Sequence, residues 1–339
     1  DSTLDGHFAA ALGLAEVALD DIGWRPTRPL AKGGDDVDAL VCRILGVPAG
    51  KARARPLQRA GVGLLSAAHG PALLLVEAPM GEGKTELAFM AHLLLQAAND
   101  HRGLYVALPT QATGNAMFGR TLAFLQSCAT GPLDIQLVHG GAVLDERVRR
   151  LRGIDASERE SISSSTWLGQ RRRALLSPYG VGTVDQALFA TLHVKHQFVR
   201  LWGLANRTVV LDEIHAYDTY TSSLIEALLR WLKVMRCSVV LMSATLPDSQ
   251  RMAFLRAWGV DETPSVAYPR VTLCAEGEVQ TESFECRAMA PVTVTGIAED
   301  LTALTTGCAA ALQGGGCGVA IVNTVQRAQE LYLALKSHL

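Results

Sequence analysis

Between residues 56 and 250, short apolar runs of strand length alternate with longer amphipathic segments such as ELAFMAHLLLQAA (86–98). Five runs have this character: ALLLVEA (72–78), GLYVALP (103–109), DIQLVHG (134–140), RTVVLDE (207–213) and CSVVLMSAT (237–245). Strands that alternate with helices at this spacing predict an α/β fold with a parallel sheet and right-handed crossovers. Ligands bind such sheets beyond the carboxyl ends of the strands, so the residues after each run are the candidates for chemistry.

The pattern changes toward both ends of the chain. Residues 1 to about 22 carry Ala and Leu at helical spacing, and the Pro and Gly residues of GWRPTRPLAKGGDD (23–36) then interrupt it. After about residue 250 a polar stretch precedes GCGVAIVNTVQRAQELYLALK (316–336), which predicts a strand and a helix of a second α/β lobe. We therefore predict three segments: an N-terminal helical segment and linker (1–55), a first α/β lobe (56–268), and a connector with an incomplete second lobe (269–339).

Composition narrows the class of protein. Hydrophobic residues make up 49% and charged residues 19%, and the net charge is -2, so any contact with nucleic acid must come from local basic patches. The seven cysteines form no CxxC pair, which favours reduced thiols in a cytoplasmic protein over disulfides or a zinc site. The longest apolar runs fall far short of the ~20 residues that a bilayer requires, so we expect no membrane span. The chain begins at Asp1 without a methionine and stops at Leu339 within a helical pattern, and we expect it to be part of a longer protein.

The segment APMGEGKT (78–85) is close to the phosphate-loop pattern Gly-x4-Gly-Lys-Ser/Thr, with Ala78 in place of the first glycine. Glycines allow successive N–H groups to point at one anion, and the following helix adds the positive end of its dipole. Lys84 is expected to reach the β and γ phosphates of ATP and Thr85 to coordinate Mg²⁺. The predicted nucleotide-binding residues of this loop are Pro79, Met80, Gly81, Glu82, Gly83, Lys84 and Thr85. The alternative is a tight strand-to-helix turn with a solvated lysine.

A second strand end, in VVLDEIHAYD (209–218), carries two adjacent carboxylates. Asp212 is suited to holding Mg²⁺ through water, and Glu213 to orienting and deprotonating the attacking water. Adjacent residues of a strand point to opposite faces, so both can serve only if the strand ends there. The alternative is an ordinary acidic turn.

Further strand ends complete an ordered set that resembles superfamily 2 helicases. The triplet Ser243, Ala244 and Thr245 follows the Asp-Glu-x-His box and would link the nucleotide site to the strand-binding surface. LPTQATGNAMF (108–118) resembles helicase motif Ia and GTVDQAL (182–188) resembles motif Ib, both of which touch the nucleic-acid backbone. The predicted DNA-binding residues here are Thr110, Gln111, Thr113, Thr183, Asp185 and Gln186. Taken singly, each motif is also explained as a loop with helix caps.

A narrower resemblance runs from about residue 50 to the end of the chain. GVGTVDQALFATLHVKHQFVRLWGLANRTVVLDEIHAYD (180–218), with WLGQRRRALL (167–176) and VNTVQRAQELY (322–332), is similar to the CRISPR-associated helicase-nuclease of type I interference. The resemblance implies a RecA-like P-loop lobe followed by the start of a second RecA-like lobe. It also implies ATP-driven 3′ to 5′ movement on single-stranded DNA, the displaced strand of an R-loop as substrate, and recruitment by the Cascade surveillance complex.

The same resemblance assigns two further residues and sets two limits. Gln58 would read adenine, although a lone Gln before a helix is more often a surface residue, and His215 would couple hydrolysis to strand movement. Residues 1–50 contain no His-Asp pair of the kind an HD nuclease domain uses, and no arginine-rich motif VI follows. Because a transition-state arginine is worth a factor of ~10³ or more, we expect this chain to bind ATP better than it hydrolyses it.

Two basic clusters are candidates for phosphate contacts: Arg147, Arg149, Arg150 and Arg152, and then Arg171, Arg172 and Arg173. Trp167 is a possible stacking platform. Acidic neighbours around the first cluster favour a solvated helix face there, so the Arg171–Arg173 run is the stronger prediction. Two alternatives to a DNA motor remain open. One is a DExH motor that acts on RNA, because such enzymes grip mainly the backbone. The other is a nucleotide-binding module without turnover.

Overall fold

The computed structural model describes residues 3–22, 24, 28–31, 36–138, 147–148, 151, 162–165, 167–169, 173–286 and 292–336. The chain forms two compact units, Asp1–Cys286 and Arg287–Leu339.

The described part of the first unit is built around a nine-stranded sheet. Its strands are β1 (Ala72–Glu77), β2 (Leu104–Leu108), β3 (Leu133–Val138), β4 (Ile162–Ser163), β5 (Tyr179–Thr183), β6 (Thr208–Leu211), β7 (Ser238–Ser243), β8 (Arg270–Ala275) and β9 (Glu278–Ser283). They lie in the order β4-β3-β5-β2-β6-β7-β1-β8-β9. The strands from β4 to β1 pair in parallel, whereas β8 and β9 add an antiparallel hairpin beside β1. All five predicted strands and their parallel arrangement are confirmed.

Helices cover both faces of this sheet. The first unit contains α1 (Leu4–Asp21), α2 (Val37–Ile44), α3 (Pro56–Leu65), α4 (Lys84–Asn99), α5 (Gln111–Cys128), α6 (Val184–Leu188), α7 (Gln197–Leu204), α8 (Thr219–Val234) and α9 (Asp248–Ala257). Leu74 and Val76 of β1 face a core shared with α2 to α5, while Leu73 and Leu75 face the core shared with α6, α8 and α9. A strand buried on both faces must be apolar throughout, which explains the continuous run in the sequence.

The β8–β9 hairpin lies beyond the expected first lobe. Its pairing with β1 extends the first compact unit to Cys286, past the residue 268 at which the sequence pattern changes. We predicted a connector here, because the apolar and polar residues of the largely exposed β9 do not form the pattern of a buried strand.

The described residues of the second unit, 292–336, form two helices that contact each other, α10 (Leu301–Leu312) and α11 (Val325–Lys336). The predicted helix near the end of the chain is therefore confirmed, but the predicted strand before it is wrong. Val319 and Ile321 are 87% and 90% exposed, and residues 317–322 have no strand conformation. A lone strand is not stable without partners, and residues 292–336 provide no second strand with which to pair. Among the described helices, none is long and apolar enough to cross a membrane.

Candidate functional site

Candidate residues from five strands meet along one edge of the sheet. In spatial order, the carboxyl ends of β5, β2, β6, β7 and β1 lead into Thr183, Thr110, Asp212, Ser243 and Ala78. The two segments expected to bind nucleotide, after β6 and β1, flank the Ser-Ala-Thr segment after β7, and the two segments expected to touch DNA are neighbours beside β6. The strand order therefore sorts the ordered motifs of the sequence into two adjoining regions.

The phosphate loop turns through two left-handed glycines. Gly81 and Gly83 have φ values of 84° and 85°, a conformation that favours glycine. Gly83 precedes α4 as its N-cap residue and has no side chain with which to bond the first N–H groups of that helix. Glu82 is buried, whereas Met80 is 77% exposed at the tip of the loop and Pro79 is half-buried. The loop offers backbone donors at a helix N-terminus, as phosphate binding requires.

Lys84 begins α4 and folds back over the loop. Its Nζ donates to the carbonyl oxygens of Ala78 at 2.7 Å and Pro79 at 3.3 Å. Burial lowers the pKa of Lys84, and the nearby charges of Glu213 and Asp212 oppose that shift. A solvated lysine is thereby excluded, because this ammonium group is buried and feels the carboxylates of a different strand.

Thr85 follows in the first turn of α4 and is half-buried. A hydroxyl in this position and the carboxylate of Asp212 are both oxygen ligands of the kind that Mg²⁺ prefers. The residues present therefore fit a magnesium nucleotide.

The acidic pair stands where its strand ends. Strand β6 stops at Leu211, and Glu213 adopts a left-handed conformation with φ 52° and ψ 44°. The backbone N–H of Glu213 donates to Asp212 Oδ1 at 2.9 Å. Because the chain leaves strand geometry at this point, the two carboxylates are not forced to opposite faces of the sheet. The strand therefore ends where both carboxylates require it to end.

Asp212 is held in an environment that disfavours its charge. Its side chain is 8% exposed. Burial, and then repulsion by Glu213, raise the pKa of Asp212 to about 6. The buried Oε2 atom of Glu213 accepts no hydrogen bond, although His215 Nδ1 lies 3.4 Å from it. A divalent cation would relieve this concentration of negative charge.

A chain of polar contacts leads from Glu213 to the next strand end. His215 Nδ1 lies 3.2 Å from the Oγ of Ser243, and this hydroxyl donates to the carbonyl of Thr245 at 2.6 Å. Ser243 is buried, Ala244 half-buried and Thr245 exposed. The structure thus joins the His of the Asp-Glu-x-His box directly to the Ser-Ala-Thr turn.

Gln58 is not a surface residue. Its side chain is 3% exposed, its Oε1 accepts from the backbone N–H of Arg55 at 2.9 Å, and its Nε2 donates to the carbonyl of Gly83 at 3.2 Å. These bonds attach the start of α3 to the phosphate loop. The sequence offered only a lone glutamine before a helix, so this contact could not have been predicted from spacing.

The residues expected to touch DNA are only partly free to do so. Thr110 and Thr113 are exposed, but the Thr110 hydroxyl caps α5 by accepting from the N–H of Thr113 at 3.3 Å. Thr183 is buried at 8% exposure, and the Oε1 of Gln186 accepts from Arg200 Nη1 at 3.0 Å. Gln111 and Asp185 are also exposed.

The basic clusters are described only at a few positions. Arg173 lies over the ring of Trp167, 4.3 Å from its centroid, so that face of the indole is already covered. Arg147 donates to the carbonyl of Asn115 at 2.6 Å. The remaining arginines, Arg149, Arg150, Arg152, Arg171 and Arg172, lie outside the described residues.

Comparison with known proteins agrees with this geometry. Residues 55–253 match the DEAD/DEAH box helicase family. The CRISPR-associated endonuclease/helicase Cas3 of Thermus thermophilus is 47% identical over 97% of this chain and 36% of its own length. The crystal structure of T. fusca Cas3-ADP superimposes with a TM-score of 0.80 at 31% identity, covering 99% of this chain and 39% of that one. A chain of a CRISPR RNA-guided surveillance complex, pre-nicking, aligns with a TM-score of 0.60 at 29% identity, covering 84% of this chain and 32% of that one.

The chain spans less than two fifths of each of these relatives. The likeness to Cas3 confirms the RecA-like α/β fold that the resemblance implied. The match to the helicase family covers more than half of the chain and includes the phosphate loop, the Asp-Glu-x-His box and the Ser-Ala-Thr turn. This protein belongs to the DEAD/DEAH box helicase family and is similar to CRISPR-associated Cas3 proteins.

Proposed function

We propose that this chain is the nucleotide-binding part of an ATP-dependent helicase that moves 3′ to 5′ on single-stranded DNA and opens target DNA for degradation in type I CRISPR interference. One observation carries the proposal: the phosphate loop with Lys84 follows the carboxyl end of β1, and Asp212 and Glu213 follow the carboxyl end of β6 in the same sheet, where their charges act on Lys84. The likeness to the crystal structure of T. fusca Cas3-ADP supports a nucleotide as ligand.

In this proposal the nucleotide phosphates bind the backbone N–H groups of residues 80–85 and draw the Lys84 ammonium away from the loop carbonyls. Thr85 and Asp212 would hold Mg²⁺, which supplies charge neutralisation at the phosphate oxygens. We propose that Gln58 contacts the adenine, and its hydrogen bond to the Gly83 carbonyl supports this role.

Glu213 is the proposed general base. Its buried Oε2 has no hydrogen-bond donor, so it is available to accept a proton from water. His215 lies between this carboxylate and Ser243, and we propose that it relays changes at the phosphates to the Ser-Ala-Thr turn.

The strand of DNA would cross the neighbouring region of the sheet edge. Thr110, Gln111, Thr113, Thr183, Asp185 and Gln186, with Arg171, Arg172 and Arg173, are the proposed contacts to the phosphate backbone. The structural relative in a CRISPR RNA-guided surveillance complex supports a Cascade complex as partner and the displaced strand of an R-loop as substrate. We place this activity in the cytoplasm.

We propose further that these 339 residues bind nucleotide better than they hydrolyse it, because the sequence contains no match to the arginine-rich motif that supplies a transition-state arginine. Such an arginine is worth a factor of ~10³ or more in turnover.

Binding and hydrolysis of Mg-ATP, measured with single-stranded DNA, with single-stranded RNA and with neither, test the proposal. Lys84→Ala removes a charged hydrogen-bond donor and should weaken nucleotide binding by about 10- to 100-fold. Lys51→Ala, at an exposed lysine, is the matched control and should change nothing. Equal affinity in the wild type and Lys84→Ala would refute the site, whereas stimulation by RNA alone would refute the DNA motor.

A further inference from the structure

A buried ion pair lies at the base of the phosphate loop. Glu77, the last residue of β1, is 1% exposed and stands opposite Arg270 of β8 in the antiparallel register. The pair is bidentate: Arg270 Nε lies 2.7 Å from Glu77 Oε2, and Nη2 lies 2.9 Å from Oε1. The residue that follows Glu77 begins the loop, so this pair fixes the point from which the loop departs.

Arg270 also joins that point to the segment after the Ser-Ala-Thr turn. Its Nη1 donates to the carbonyl of Val266 at 2.8 Å, and its Nη2 lies 3.6 Å from Asp248 Oδ1 at the start of α9. Hydrogen bonding by Glu77 raises the pKa of Arg270, so the guanidinium stays charged. One side chain therefore connects β1, α9 and the loop that leads into β8.

A second residue of the same loop reaches the turn itself. The hydroxyl of Tyr268 donates to the carbonyl of Ala244 at 3.0 Å. Ser243 of this turn contacts His215, and the Ser243 carbonyl accepts from the N–H of Ala78 at 3.1 Å. The Ser-Ala-Thr turn is thus bonded to the phosphate loop on one side and to residue 268 on the other.

We infer that Tyr268 and Arg270 are positioning residues that hold the Ser-Ala-Thr turn in register with the base of the phosphate loop, and so set how strongly nucleotide binding is coupled to strand binding. The inference rests on the proposed function. The bonds that carry the inference are all within the chain: Arg270 bonds to Glu77 and the Val266 carbonyl, and Tyr268 bonds to the Ala244 carbonyl. The two act through the backbone to which the reacting residues belong.

Tyr268→Phe tests this inference because it removes one hydroxyl from a ring that is 45% exposed, and leaves the fold intact. The measured quantity is the coupling ratio, the Kd for a labelled oligo-dT without nucleotide divided by its Kd with a saturating non-hydrolysable Mg-ATP analogue. We expect the ratio to move toward one by about 2- to 10-fold, the worth of one hydrogen bond, while the Kd for the analogue alone is unchanged. Tyr332→Phe, at a tyrosine 64% exposed in the second unit, is the control and should keep the wild-type ratio.

Hydrogen exchange of the nucleotide-free chain supplies a readout independent of any ligand. Amides of residues 243–248 should exchange faster in Tyr268→Phe than in wild type or Tyr332→Phe. Arg270→Gln alone leaves the Glu77 carboxylate buried and unpaired, which destabilises the fold, so the second variant is the doubly neutral Glu77→Gln, Arg270→Gln chain. It should show the same faster exchange and the same lower ratio.

The outcomes separate the two ideas. Suppose that the wild-type coupling ratio is above one, and that Tyr268→Phe and the double variant both keep this ratio and show unchanged amide exchange at residues 243–248. This result would overturn the positioning role and leave the proposed function standing. A wild-type coupling ratio of one, together with a nucleotide affinity that Lys84→Ala does not change, would overturn the proposed function and this inference with it.

Discussion

Asp212→Asn should stabilise the folded chain while it abolishes magnesium-dependent nucleotide binding. The substitution keeps the shape of the side chain and the Oδ1 atom that accepts from the N–H of Glu213. It removes a negative charge that is 8% exposed and that faces a second carboxylate. The site is thus expected to be a place where function lowers stability.

The magnitude follows from the pKa of Asp212, which is about 6 in the folded chain against an ordinary value of 3.8. A raised pKa means that the folded chain binds this proton more tightly than the unfolded chain, so ionisation destabilises the fold. Wild-type stability should therefore fall as the pH rises from about 4 to about 6. Two pKa units correspond to about 3 kcal/mol, which is the largest gain that Asp212→Asn should show above pH 6.5.

Thermal unfolding of both proteins between pH 4 and pH 8 measures this difference. The melting temperature of Asp212→Asn should exceed that of the wild type by up to about 5 °C at pH 7.5, and the gap should close toward pH 4. A saturating magnesium nucleotide should raise the melting temperature of the wild type only.

Asp218→Asn is the matched control, because the backbone and side chain of Thr221 lower the pKa of Asp218 and the sign reverses. Its carboxylate stabilises the fold above its unfolded pKa, and that contribution is lost as the pH falls through the lower folded value. Equal melting temperatures for the wild type and Asp212→Asn at pH 7.5, or a gap that does not depend on pH, would refute the reasoning.

Three further changes test other parts of the site. Glu213→Gln should retain nucleotide binding and lose hydrolysis in a single-turnover assay, and normal turnover would exclude Glu213 as the base. Gly83→Ala should lower stability and nucleotide affinity more than Gly81→Ala does. Both alanines are strained at positive φ, but only a Cβ at position 83 meets a neighbour, Gln58 Nε2 at 2.3 Å. Equal losses would show that this contact yields easily. Arg207→Met should leave the unfolding free energy in urea unchanged or higher, since the buried guanidinium leaves Nε and Nη2 without partners; a large loss would refute that argument.

The sequence predicted the central sheet and the phosphate loop because both follow from local rules. A strand buried on both faces must be apolar throughout, so runs such as Leu73 to Val76 are visible in one sequence. The loop combines glycines with a lysine at a helix start, and the structure places that lysine near the carboxylates of a different strand. Asp212 and Glu213 also satisfied the requirement that their strand end between Leu211 and Glu213.

What the sequence did not reveal depends on contacts between distant residues. Gln58 is buried because it bonds to Gly83, and no periodicity within α3 signals that partner. The β8–β9 hairpin was not recognised, because only β8 is covered on both sides and β9 is largely exposed. The strand predicted near residue 319 failed for the opposite reason: its pattern is apolar, but the described residues of its unit offer it no sheet.

The charged groups near the carboxyl end of β1 differ in how well they are paired. At the base of the loop, Glu77 and Arg270 satisfy each other through two short hydrogen bonds. Seven residues later the charged groups are poorly matched: burial lowers the pKa of Lys84 and raises that of Asp212. If the proposed function holds, a magnesium nucleotide would pair the poorly matched charges of Lys84 and Asp212 while the Glu77–Arg270 pair kept the end of β1 in place. We propose that the free energy released by that pairing would act on the contacts that lead from His215 to the Ser-Ala-Thr turn.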